Sequence, residues 1–228
     1  ADWDSCGMSV KILSQHLDRG LDLLSDVILH PAFAKEEAER IRGQILASIQ
    51  QERDSPNVVL RHTISRSLYP NHVYGESPLG TVESVKRIQP EQLKAFYQRV
   101  FRPDQTVVVA VGDVTKEALI PKLEKAFGGW KQAGPAPVAL RTPAAAQPSI
   151  ILIDRPGAAQ SNISLAGVGV ERKSKDFDAI QLANTIFGGM FSSRLNMNLR
   201  EKNAYTYGAR SGFQMRHGPG PFTASAAV

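Results

Sequence analysis

The apolar positions of the chain change period several times, and each change predicts an element. Cys6, Met8, Val10 and Ile12 alternate with Gly7, Ser9 and Lys11, the period of two expected of a strand with one covered face. Ser14 is a suitable N-cap, and Leu17, Leu21, Leu24, Val27 and Ile28 then recur at helical spacing up to Pro31. A second helix is predicted over about 35–53, with Glu36 and Glu37 at the positive end of its dipole and a stripe of Ile41, Ile45, Leu46 and Ile49. Pro56 stops it, and Asn57 reads as the cap of a third helix bearing Leu60, Ile64 and Leu68. Residues 69–80 read as a loop, punctuated by Pro70, Gly75, Pro78 and Gly80. Short helices are expected after Thr81 and from Pro90, the latter carrying Leu93, Phe96 and Val100. Residues 106–111 are β-prone without alternation, which predicts a strand covered on both faces. Thr115 opens a last helix of this half, disturbed by Pro121 and closed by Gly128 and Gly129.

Residues 131–148 break the pattern: they hold four prolines, six alanines and no acidic side chain, and read as an extended interdomain linker. Two units, 1–130 and 149–228, are therefore expected. In the second, 150–154 and 162–170 predict strands, and Ser174 caps a helix with Phe177, Ile180, Ala183 and Ile186 that ends at Gly188 and Gly189. Ser192 starts another with Leu195 and Leu199. Tyr205, Tyr207, Ala209, Ser211 and Phe213 alternate as a strand, and Phe222, Ala224, Ala226 and Val228 as its return after a turn at 217–221. The class is α+β, with helices on one face of a largely antiparallel sheet.

Composition narrows the function classes. At 228 residues, with 27 Lys+Arg against 22 Asp+Glu, the chain is long enough for one or two cores and carries a scattered net charge of +5. No basic run marks a nucleic-acid stripe, so no nucleic-acid partner is expected. Cys6 is the single cysteine, so no internal disulfide is available, and no apolar run reaches the length of a membrane span. No signal peptide is visible. The first residue is not Met and both ends cut into strand-like sequence, which reads as a fragment or a processed form.

The residues that carry chemistry do not assemble into a self-contained catalytic set by spacing. His16, His30, His62, His72 and His217 lie too far apart in sequence for two ligands on one helical face. His72 sits in a Gly/Pro loop, where a turn hydrogen bond is the simplest role. Ser77 lacks a nucleophile elbow, Cys6 lies on an apparent strand face, and Gly167-Val168-Gly169 lacks the third glycine of a dinucleotide loop.

The order of motifs does carry a resemblance. His30-Pro31-Ala32-Phe33 precedes a Glu-rich helix, and Tyr74-Gly75-Glu76-Ser77-Pro78-Leu79-Gly80-Thr81 follows. Phe101-Arg102-Pro103-Asp104 and a Val-rich strand ending Gly112-Asp113-Val114 come next, then the linker. After it stand Gly188-Gly189-Met190-Phe191-Ser192-Ser193-Arg194-Leu195 and Leu199-Arg200-Glu201-Lys202. This resembles the pitrilysin/insulinase family of zinc metallopeptidases, in its version with short bacterial subunits, over nearly the whole chain. The resemblance implies two family-type domains, each incomplete here: the later part of a first and the opening of a second. The family holds zinc with a His-x-x-Glu-His helix, absent from this chain, and with a glutamate on a later helix, where Ser48 stands instead. A hydroxyl does not replace that carboxylate, and Glu52, one turn on, would be displaced by roughly 6 Å along the axis. No metal is thus expected in this chain, and zinc is expected in a partner subunit.

Family members also carry an Arg and a Tyr that grip the substrate backbone, and Arg200 and Tyr207 match that pair as catalytic and substrate-binding residues. The family's usual Gly-Leu is here Ala204-Tyr205, so in a regular strand either Tyr205 or Tyr207 would fill the phenol position. The resemblance implies a non-zinc subunit of a two-chain zinc endopeptidase acting on extended peptide. It would pair with a zinc-binding homologous subunit as a heterodimer, or form a homodimer, in the bacterial periplasm. The alternatives are a non-catalytic peptide-binding or assembly protein of the same fold, and a cut piece of a complete peptidase.

Overall fold

The computed structural model describes residues 2–131, 133–135 and 139–228. Part of the predicted linker, Gln132 and residues 136–138, lies outside the described residues. The helices are α1 (Leu17–Leu29), α2 (Lys35–Asp54), α3 (Pro56–Leu68), α4 (Val82–Arg87), α5 (Pro90–Val100), α6 (Lys116–Phe127), α7 (Phe177–Asn184) and the single turn α8 (Arg194–Asn196). The strands are β1 (Asn162–Val168), β2 (Ala209–Phe213) and β3 (Pro221–Ala227). They sort into two compact units, one of Cys6–Leu46 and Val82–Val138, the other of Ala1–Ser5, Ala47–Thr81 and Ala139–Val228.

In the first unit, hydrogen bonds to helix ends do much of the joining. A methyl group at Gly20 would collide with the Ile12 side chain, so the extended 6–13 segment lies against α1 at a residue without Cβ. Tyr97 of α5 donates its hydroxyl to the Ile28 carbonyl at 2.7 Å, where α1 runs out of internal donors. Phe33 and Phe101 flank that ring at 5.6 and 5.4 Å. Arg42 of α2 donates to the Ile88 carbonyl at 2.6 Å and to the Val85 carbonyl, placing a cation at the negative end of α4. Pro90 begins α5 behind a reciprocal Gln89–Gln92 cap.

The second unit carries the sheet, in the order β1-β3-β2 with both pairings antiparallel. Leu165, Ala224 and Ser211 line up across it on one face. Over β2 that face is covered by α7 and a π-helical turn, Thr185–Gly189. Asn184 and Ser211 lock the layer: the serine hydroxyl donates to the Asn184 side-chain Oδ1 at 2.8 Å, and the Asn184 Nδ2 donates to the Ser211 backbone carbonyl at 3.3 Å. A side chain at Gly188 would place its Cβ 2.6 Å from the Ser211 nitrogen, so glycine is required for this close approach. Helix α3 lies against β1. Leu68, Tyr69 and Tyr74 form the buried centre of the unit, with Trp3, Ile64 and Leu140 packed on it.

Several expected elements differ from what forms. Residues 6–12, 106–111 and 150–154 are not strands. Val107, Val109 and Val111 are 85, 80 and 96% exposed, the opposite of a strand covered on both faces. A strand exists through its ladder, and among the described residues no neighbour supplies one to these segments. Helix α3 is opened by Ser55 in the cap position and Pro56 at its first position, not by Asn57. Proline's fixed φ favours that first turn, and its missing N–H is no loss there. His72 makes turn hydrogen bonds: its Nδ1 accepts from the Tyr74 amide at 3.1 Å and its Nε2 donates to the Arg141 carbonyl at 2.8 Å.

Candidate functional site

The site is built on the connection from α8 to β2. Ser193 and Asn196 are buried at the start of that helix, and the Ser193 hydroxyl caps it by accepting from the Asn196 amide. The helix continues as a π-helix, Met197–Lys202, with Arg200 and Lys202 in its last turn, where the carbonyl-rich end favours cations. It ends at Ala204, which takes a left-handed φ of 52°. Ala204 donates its amide to the Arg200 carbonyl at 3.0 Å, and Tyr205 to the Leu199 carbonyl at 2.9 Å.

Beyond this reversal the chain does not enter the sheet at once. Thr206 is buried, donates its hydroxyl to the Ala227 carbonyl at 2.5 Å and accepts from the Gly208 amide at 3.2 Å. The ladder begins only at Ala209. Regular alternation therefore does not govern Tyr205 and Tyr207, and the two rings have different surroundings. Tyr205 lines an apolar groove of about 470 Å³ with Ile163, Leu165, Leu195, Leu199 and Val228. Tyr207 is 87% exposed.

Arg200 has two neighbours. Its Cζ lies 4.6 Å from the centroid of the Phe191 ring, and its Nε lies 3.3 Å from Glu201 Oε1. Tyr207 is not among its contacts: the two side chains stand at the same helix–strand junction and are not bonded to each other. Phe191 belongs to a matched motif but was given no role by sequence, and Asn196 gave no signal at all. Asn196 turns out to hold the junction together, donating to the Phe191 carbonyl at 2.7 Å and accepting from the Ala209 amide at 3.1 Å.

The region expected to lack a metal ligand lies elsewhere in the same unit. Ser48 is half-buried on α2, and Glu52 faces His62 of α3 at 3.5 Å. Burial pushes the His62 imidazole below its ordinary value, against the opposing pull of the Glu52 carboxylate. Zinc takes three or four such ligands, and no group of three or more His, Cys, Asp or Glu converges among the described residues. The donor set does not fit zinc. No helix among the described residues is long and apolar enough to cross a membrane.

Helices packed on a short antiparallel sheet define an α+β fold. Residues 87–228 match the peptidase M16 inactive domain, and residues 2–82 match insulinase, peptidase family M16. The chain belongs to peptidase family M16. It is 26% identical over 201 residues to the uncharacterized zinc protease YmxG of Bacillus subtilis, covering 88% of this chain and 48% of that protein. It is 28% identical over 210 residues to the uncharacterized zinc protease Mb2805c of Mycobacterium bovis, covering 90 and 47%. The chain thus spans about half the length of these relatives. A peptidase M16 inactive domain from Pseudomonas fluorescens superposes with a TM-score of 0.88 at 29% identity, covering 94% of this chain and 52% of that one.

Proposed function

We propose that this chain is the non-zinc part of a two-chain zinc endopeptidase, in which Arg200 and Tyr207 bind the backbone of an extended peptide. The metal would be held by a homologous partner subunit, since the residues here do not fit it. What carries this reading is Arg200: a guanidinium fixed on a ring and still half in solvent, in a chain whose larger part matches the family's inactive domain. Its Nη amines have no acceptor among the described residues, and Tyr207 offers an exposed phenol seven residues on. Both groups donate to a peptide carbonyl. As that oxygen gains negative charge in the tetrahedral intermediate, the same hydrogen bonds strengthen, because charge-assisted bonds are about twice as strong as neutral ones. A preorganised donor of this kind is worth about 2.7–4 kcal/mol. The proteins YmxG and Mb2805c, named as zinc proteases, support the reaction class.

The test is to express this protein with a homologous subunit carrying His-x-x-Glu-His and follow cleavage of fluorescein-labelled casein peptides. Arg200→Ala is expected to lower turnover by about 100-fold, the factor that corresponds to that donor. Turnover unchanged by Arg200→Ala would sink the proposal. Peptide binding that survives the substitution without any cleavage would point to the assembly protein.

A further inference from the structure

We propose that Phe191 is a positioning residue: its ring holds the Arg200 guanidinium off Glu201 and keeps the Nη edge open to ligand. This rests on the reading of Arg200 as a peptide-binding group and goes beyond it, naming what makes that group competent. The need for such a residue follows from Arg200's surroundings. Glu201 lies beside it, and an arginine next to a free carboxylate tends to close onto it with both donors of its fork. In the structure the nearest approach to Glu201 is from Nε, at 3.3 Å, while the guanidinium carbon lies 4.6 Å from the centroid of the Phe191 ring. A ring beneath the plane attracts the cation through its quadrupole and occupies none of its N–H groups. Donors held this way stay free.

The platform itself is anchored more firmly than a surface loop requires. Phe191 is 62% exposed, which costs hydrophobic free energy and gains nothing for the core. Its backbone, by contrast, is tied by buried groups. Asn196, 3% exposed, donates to the Phe191 carbonyl and accepts from the Ala209 amide at the start of β2. Ser193, 1% exposed, donates its amide to the Met190 carbonyl at 3.1 Å. One carboxamide therefore sets the ring relative to the strand that follows Tyr207. The buried network that holds the junction of α8 and β2 thus also fixes the backbone of an exposed aromatic beside a half-exposed cation.

Two arms test this on the full chain. The first reads the Arg200 Nε–Hε proton by NMR. Over a ring it is shifted upfield, and Phe191→Leu is expected to abolish that shift while Phe191→Trp keeps it. The second measures binding of fluorescein-labelled casein peptides. Phe191→Leu is expected to weaken binding about threefold, as an exposed cation–π contact allows. Phe191→Trp is expected to restore it. Adding Glu201→Gln to Phe191→Leu is expected to restore it as well, because the competing carboxylate is then gone; a purely structural role for Phe191 predicts no such rescue. An Arg200 proton indifferent to Phe191→Leu, or a double variant no better than the single one, overturns the proposal. If Arg200→Ala leaves peptide binding intact while the Phe191-dependent shift persists, the peptide reading fails and the positioning stands.

Discussion

Of the arginines that lie over aromatic rings, Arg216 and Arg200 are built for different ends. Arg216 sits between Trp3 and Tyr74, its Cζ 3.7 and 4.6 Å from their centroids, and is 9% exposed. Around it Asp4 accepts from the Tyr74 hydroxyl at 2.8 Å and the His217 amide at 2.9 Å, and the Tyr74 oxygen accepts from the Gly218 amide at 2.9 Å. Burial pushes the Arg216 pKa down, while Tyr69, Tyr74 and Asp4 oppose it. Arg200 has one ring, one partly exposed carboxylate and an open edge. The same contact is thus a staple in one place and a stand in the other. Burial decides which, because a desolvated cation loses much when its rings go, and an exposed one is quickly hydrated.

The largest effect expected from this contrast is on stability at Arg216. Arg216→Ala removes two desolvated ring contacts and leaves a cavity between Trp3 and Tyr74, so a loss of about 3 kcal/mol is expected in urea unfolding. Arg200→Ala is expected to change the same measurement by no more than about 0.5 kcal/mol. Equal losses at the two sites would erase the distinction.

Alkaline unfolding probes the same buried cluster. Burial pushes the Tyr69 phenol up to about 12. The folded state therefore holds that proton more tightly than the unfolded chain, whose phenol titrates near its ordinary value of about 10. The associated stability is intact below pH about 10 and is lost as the pH rises toward about 12, by up to about 3 kcal/mol. Tyr69→Phe is expected to flatten that fall. At neutral pH the variant should lose only about 1 kcal/mol, the worth of the hydroxyl's 3.1 Å bond to the Pro219 carbonyl. An alkaline slope unchanged by Tyr69→Phe would mean that another group carries it.

The contrast also marks what sequence alone reveals. Amphipathic helices such as α1 and α5 were legible because their evidence is local. The hairpin of β2 and β3 was legible because both partners lie close together in the chain. The 106–111 run has higher β-propensity than β1, yet β1 pairs and the valine run does not, since propensity does not supply a neighbour. Arg200 and Tyr207 were singled out by spacing and motif context. Their surroundings were not: Thr206 reaches Ala227 and Asn196 reaches Ala209, and these bonds hold the segment on which Tyr205 and Tyr207 stand. The Arg216 cluster was invisible, because Asp4 and His217 are 213 residues apart.

The smallest expected effect tests where backbone strain lies. Each region has a residue in the left-handed conformation: Asn71, in the loop beside Tyr69 and Tyr74, at φ 56°, and Ala204, at the end of the Arg200 helix, at φ 52°. Asparagine tolerates that conformation, whereas alanine pays about 1 kcal/mol or more for it through its Cβ. The Arg216 region is relaxed at its turn, and the Arg200 region is strained at its own. Ala204→Gly removes the Cβ and retains the Arg200 and Leu199 hydrogen bonds to the backbone. The relief is offset in part by the greater freedom of glycine in the unfolded chain. A net gain of about 0.5–1 kcal/mol in urea unfolding is therefore expected, and a loss would show that this helix end is not held left-handed. Peptide binding sharpens the outcome: if the stabilised variant binds casein peptides as well as the parent does, the strain is incidental, and if it binds less well, the stiffness of alanine helps to aim Arg200.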